Sequence, residues 1–259
     1  KYTGDNLIDE EVLYGGRGAY QMIVLRGVVI FPGQTYTVDV GREKSLQALN
    51  RAIDSNRNLF VVTQKNKSAV NPAPKDVYRV GTLVKVKQVL RSSGEYVRAV
   101  LEGVERMVID GFVSITPCYE VSLKKFGEEP SDELMLKAIR RNIVAQLEEY
   151  RKFDSKSVAD LQMMATSMPD DERFIATAAG LFFTDYKDKQ ELLSCESLYK
   201  QYEFVYKKLL EESELKAMEK RIATKVRQNI DKNQHEYYVR EQIKVLRDEL
   251  GDGESEADE

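Results

Sequence analysis

FVSITPCYEVSLKKFGEEPSDELMLKAIRRNIVAQLEEY, residues 112–150, changes its hydrophobic period part-way along. Val113, Ile115, Tyr119, Val121 and Leu123 interleave with Ser114, Thr116, Glu120 and Ser122, the period of two that marks a half-buried strand. Pro117 cannot donate to a ladder, which places this strand at an edge or a bulge. Beyond GEEPSD, residues 127–132, the apolar positions step by three and four: Leu136, Ile139, Ile143, Leu147 and Tyr150 share one helical stripe. Ser131 or Asp132 can cap that helix. The fold class is therefore α+β, with a β-rich subdomain over residues 1–126 and helices from residue 127 onward.

Working back toward the N-terminus, further strands are predicted at 20–25, 35–40, 59–64, 80–90, 95–101 and 104–109, with RSSGE (91–95) as a hairpin loop. One helix interrupts them, with Leu46, Leu49 and Ile53 on its buried face. It forms a crossover unit in an otherwise antiparallel, curved sheet. Working forward, a short helix carries Val158, Leu161 and Ala165 and ends before Pro169, and Met163, Met164 and Met168 read as core. Pro169 opens another helix, whose first turn holds Asp170, Asp171 and Glu172 and whose buried face is Phe174, Ala178 and Leu181. KDKQELLS (187–194) reads as a small turn that closes a helical subdomain over 127–195.

Residues 196–250 contain neither proline nor glycine, and apolar side chains recur at Leu198, Tyr202, Val205, Leu209, Leu215, Met218, Ile222, Val226, Ile230, Ile243, Leu246 and Leu250. They predict a connecting helix over 196–251, roughly 80 Å long. Its first third can pack on the helical subdomain, whereas the remainder is expected to leave the body of a domain this size. The last residues, 252–259, form an acidic tail of disordered composition.

Composition narrows function. The 259 residues are 42% hydrophobic, and 39 basic against 43 acidic side chains give a net charge of -4, which offers no global attraction to nucleic acid or anionic lipid. Cys118 and Cys195 stand far apart and outside any CxxC pattern, as in proteins of a reducing compartment. The expected location is the bacterial cytoplasm, with the mitochondrial matrix as the alternative. No apolar run reaches the ~18 residues of a membrane span, and no secretory signal pattern opens the chain. Lys1 is not an initiator methionine, so the chain reads as a fragment or a processed product.

Three stretches, taken in order, resemble the N-terminal region of the Lon family, the ATP-dependent serine proteases of the AAA+ class. They are LRGVVIFPG (25–33) with VGREKSLQALNRAI (40–53), VGTLVKVKQVL (80–90) with VRAVLEGVERMVI (97–109), and NQHEYYVREQIKVLRDELG (233–251). The resemblance implies a PUA-like β-rich subdomain, a helical bundle with a long helix, and a homo-hexamer in the full-length protein. It also implies ATPase and protease domains outside these residues, with ATP and magnesium expected as cofactors of that ATPase domain alone.

The residues themselves carry no catalytic pattern. None of the fifteen glycines opens GxxxxGK[ST], the loop whose amides cradle phosphates. His235, the only histidine, lacks a metal-ligand arrangement, so no metal site is expected. Neither cysteine has a nearby histidine or cation cluster to activate it. The pairs Asp170 with Asp171 and Glu211 with Glu212 suit helix termini and solvated faces. What remains is binding. Phe31 and Pro32, at the end of GVVIFPG (27–33), and Met218 on the long helix are the candidate substrate-binding residues; if Phe31 is exposed, replacing it should spare stability. Tyr237 and Tyr238, about 100° apart on the helix, are candidates for interdomain or oligomer contacts. The expected function is non-catalytic capture of unfolded or damaged proteins for the ATPase and protease domains. The alternatives are a purely structural module that organises the hexamer and, with the acidic balance against it, RNA binding through the PUA-like topology.

Overall fold

The computed structural model of the chain describes residues 19–91, 96–166 and 170–250. They fall into two units, divided between Leu210 and Glu211.

In the first unit six strands precede the helices: β1 (Tyr20–Leu25), β2 (Thr35–Val40), β3 (Asn58–Thr63), β4 (Val80–Arg91), β5 (Val97–Ser114) and β6 (Tyr119–Lys125), with α1 (Glu43–Asp54) between β2 and β3. The order is β2-β5-β4-β3-β1-β6, and β5 also pairs with β6, so five strands close into a ring. The length of β5 makes this closure possible. Its residues from Val97 to Glu102 pair with β2, and those from Met107 to Ser114 pair with β6. Register shifts in β4 and near Gly111 mark bulges, which bend strands enough to close a small barrel. The one parallel pair among these strands is β1 with β3, and the chain travels between them through β2 and α1. Both strands are apolar on both faces. Ile23, Leu25, Leu59 and Val61 enter one core with Leu49 of α1, while Met22, Val24, Phe60 and Val62 enter a second with Leu83 and Ile109.

Two predicted boundaries change. The stretch 113–123 is a reversal between β5 and β6 rather than one strand, with a cis Thr116–Pro117 peptide in the turn. Proline has no N–H to give a ladder and sits where none is needed. The predicted strands 95–101 and 104–109 are one continuous strand running through Gly103. The hairpin loop predicted over 91–95 lies, apart from Arg91, outside the described residues.

The helices are α2 (Glu133–Tyr150), α3 (Ser155–Thr166), α4 (Asp171–Phe182), α5 (Tyr186–Leu193) and α6 (Leu198–Glu249). The two candidate caps at 131 and 132 serve two different helices. Asp132 accepts from the amides of Leu134 and Met135 at the start of α2, and Ser131 Oγ accepts from the Tyr199 amide at the start of α6. Asp170 and Asp185 cap α4 and α5. Ile143, Leu147, Phe174, Ala178, Tyr202 and Val205 form the centre of the helical core. Leu181, expected in that core, is 38% exposed, because the buried face of α4 repeats by four and reaches Phe182 instead. KDKQELLS is helical rather than a turn and buries Gln190, Leu192 and Leu193. Met163 points outward and Met164 packs on the core, whereas Met168 and Pro169 lie outside the described residues.

The second unit contains the part of α6 beyond Leu210. Every residue from Met218 to Leu250 is exposed. Residues 251–259, the predicted acidic tail included, lie outside the described residues.

Candidate functional site

The segment 27–33 decides the first candidate, and the structure corrects the expectation that its tip is exposed. Phe31 is 2% exposed and Pro32 is buried, while Val28, at 38%, is the most open of the four apolar residues 28–31. The segment is not a strand, so alternation does not apply to it. Consecutive side chains serve different cores: Ile30 enters the barrel, and Val29 and Phe31 enter the helical core. The Thr82 hydroxyl donates to the Ile30 carbonyl at 2.6 Å, and the amide of Gly33 donates to the Gly103 carbonyl at 3.0 Å. Gly33 holds a φ of 76°, in the region that favours glycine. Gly103 has no spare room, since a Cβ there would stand 2.1 Å from the Phe31 carbonyl oxygen. Phe31 and Pro32 thus fasten barrel to helices and are not available as a surface contact.

The same junction is polar elsewhere. Arg106 of β5, whose side chain is 9% exposed, donates to the carbonyls of Leu193 and Cys195 at 3.1 and 2.9 Å, pairs with Glu128 and stacks on the Phe126 ring. Gln190 of α5 donates to the Val80 carbonyl at 2.9 Å, and Tyr186 to that of Lys65 at 2.8 Å. Buried charge of this kind needs its partners in place. Nothing in the sequence marked Arg106 apart from other strand arginines, because its partners lie on elements more than twenty residues away.

Groups with chemical potential are held quiet. Burial pushes the Cys195 thiol up to about 11 and raises that of Cys118 as well, the reverse of what a nucleophile needs. Burial, then the hydrogen bond to Asp171, raises Tyr202, whose hydroxyl donates to that carboxylate beneath the Arg140 guanidinium. No cluster of potential metal ligands occurs among the described residues. No helix among them is long and apolar enough to cross a membrane. A groove of about 910 Å³ runs over α2 and α3, lined by Leu136, Arg140, Val144 and Ala165.

The exposed apolar side chains concentrate on α6. Leu215, Met218, Ile222, Val226 and Ile230 are each 50% exposed or more, at steps of three and four that align them along one face. Met218, at 53%, lies within this stripe, so sequence reading found one member of a larger set. The signal for the others was present, since they continue the period that buries Tyr202, Val205 and Leu209. Farther on, Tyr237 and Tyr238 are 66% and 68% exposed, and with Val245 and Leu246 they line a shallow groove of about 570 Å³.

A small barrel fastened to a helical bundle, with inert thiols and an open apolar helix face, defines a binding domain rather than a catalytic one. Residues 19–211 match the family model described as the ATP-dependent protease La (LON) substrate-binding domain, and the chain belongs to that family. It corresponds to the non-catalytic N-terminal Lon region. The Lon protease of Clostridium acetobutylicum is 33% identical over 236 residues, 91% of this chain and 30% of that protein. The Lon proteases of Clostridioides difficile and Brucella suis biovar 1 are 34% and 31% identical, over 92% and 95% of this chain. The chain thus spans less than a third of the length of these curated relatives. Among solved structures, the N-terminal domain of the Mycobacterium avium complex Lon protease superposes with a TM-score of 0.58 at 14% identity, covering 74% of this chain and 98% of that one, which establishes the shared fold.

Proposed function

We propose that the chain captures unfolded or damaged polypeptides through the exposed apolar face of α6, Met218 included, and holds them for the ATPase and protease domains of a cytoplasmic Lon-type enzyme. The observation that carries this reading is the stripe from Leu215 to Ile230, five aliphatic or thioether side chains at least half exposed. Such a face costs free energy in water unless something covers it. A folded protein hides its own apolar stripes, so a partner that offers one is preferentially unfolded. Methionine suits varied sequences because its thioether adapts to irregular surfaces. Each contact is weak, which lets a captured chain be released. Tyr237 and Tyr238 take the interdomain or subunit contacts of a homo-hexamer. Neither nucleotide nor metal takes part in capture by this region.

Anisotropy titrations test the proposal, with a labelled, permanently unfolded carboxymethylated protein set against its native form. The unfolded form should bind at least ~10-fold tighter, and ATP with magnesium should change nothing. Met218→Ser with Ile222→Ser should weaken binding by about 1 to 3 kcal/mol in total, as loss of partly buried apolar contacts does. Equal binding of native and unfolded forms, or an unaffected double variant, would leave the face with an organising role in the hexamer instead.

A further inference from the structure

The stripe on α6 is flanked by an unusual charge pattern. Residues 220–230 contain Lys220, Arg221, Lys225 and Arg227 and no acidic residue, in a chain whose acidic side chains outnumber its basic ones by 43 to 39. All four cations are exposed, and among the described residues no carboxylate forms an ion pair with any of them. At about 100° per residue they fall into two rows. Lys220 and Arg227 lie on one side of the line through Ile222, Val226 and Ile230, and Arg221 and Lys225 lie on the other. An apolar strip thus runs between two cationic borders.

We infer that this face docks polypeptide segments of one charge class, apolar segments bordered by aspartate or glutamate; the inference rests on the capture reading above and narrows its substrate. Charge complementarity selects the occupant. A basic border on both sides of an apolar strip repels lysine-flanked segments, and it pairs with acidic flanks only when the apolar side chains are seated between them. Naked phosphate chemistry, as in a nucleic acid, would use the cations and leave the strip uncovered. An anionic bilayer is disfavoured as well, because membrane-surface helices carry aromatic or bulky side chains on the apolar face and this strip has none between Leu215 and Ile230. Exposed pairs are individually weak, so the device acts as a selector among apolar segments and not as the main source of affinity.

The test uses the 259-residue chain and three 18-residue labelled peptides that share one leucine and valine stripe and carry glutamate, glutamine or lysine at the flanks. The glutamate peptide should bind roughly tenfold tighter than the glutamine peptide, the combined effect of several exposed ion pairs, and the lysine peptide weakest. High salt should compress the difference. Replacing Lys220, Arg221, Lys225 and Arg227 together by glutamine should erase the ranking, and replacing them by glutamate should invert it, with helix content checked by circular dichroism for both. Equal affinity for all three peptides, or a ranking unchanged in both variants, overturns the inference while leaving capture intact. Tighter binding of phosphatidylglycerol vesicles or a single-stranded oligonucleotide than of the glutamate peptide overturns it in favour of those occupants. If no peptide and no unfolded protein binds, the capture reading fails with it.

Discussion

Phe31 shows how a single side chain can be misassigned by pattern alone. Four consecutive apolar residues, 28–31, followed by Pro32 and Gly33, look like a strand running into an exposed tip. In the structure the segment is irregular, and its side chains divide between two cores that the sequence does not announce. The bracketing glycines carry the missed signal, since Gly27 and Gly33 both hold positive φ and set the segment between two sharp bends. Phe31→Ser should therefore lower stability by about 3 to 5 kcal/mol, the range for emptying a buried aromatic site, measured by chemical denaturation. Met218→Ser should change it by less than about 0.5 kcal/mol, as exposed substitutions usually do. A stability loss at Phe31 no larger than that at Met218 would return the tip to the surface.

Among the elements, the strands and helices with a single buried face were legible, because period two and period 3.6 are imposed by burial on one side. The helix through Ile139, Ile143 and Leu147 falls where its stripe placed it, and so do the strands β1 and β3. What was not legible depends on tertiary partners. β5 appeared as two strands because Gly103 breaks its apolar pattern, and that glycine is required by the loop crossing it rather than by the strand. The Pro117 reversal was hidden because alternation survives a turn when both strands face the same core. α6 was legible as a helix but not in its use, since an apolar stripe reads alike whether buried or exposed. Its two parts should differ in stability, because helices in water depend mainly on packing an apolar face. Amide exchange should be slow around Gln201, Tyr202, Val205 and Leu209, which are buried, and fast beyond about Asn233, where every side chain is exposed. Uniformly slow exchange in a monomer of verified mass would show that something covers the far part.

For the molecule as a whole, the decisive relation is between a rigid anchor and a set of weak contacts. The barrel and bundle are joined by Arg106, Gln190, Tyr186 and the 27–33 segment, so the first unit moves little when a polypeptide binds to a face it does not bury. Capture by five half-exposed side chains cannot be tight, and tightness would hinder later release. Affinity for a long unfolded chain then has to come from repetition, with several copies engaging successive segments of one substrate. Effective concentration makes this quantitative, since tethered sites gain on the order of 10² or more in avidity when the substrate spans them. Displaying six copies of the chain on a ring-shaped scaffold should accordingly raise the affinity for a long carboxymethylated protein by about 100-fold over the single chain. The same display should leave the per-site affinity for an 18-residue peptide unchanged, because a peptide that short occupies one site. Surface plasmon resonance with the peptide and the long substrate on separate channels distinguishes the two. Equal gains for both would mean that the scaffold had altered the site itself, and no gain for the long chain would mean that each copy captures alone.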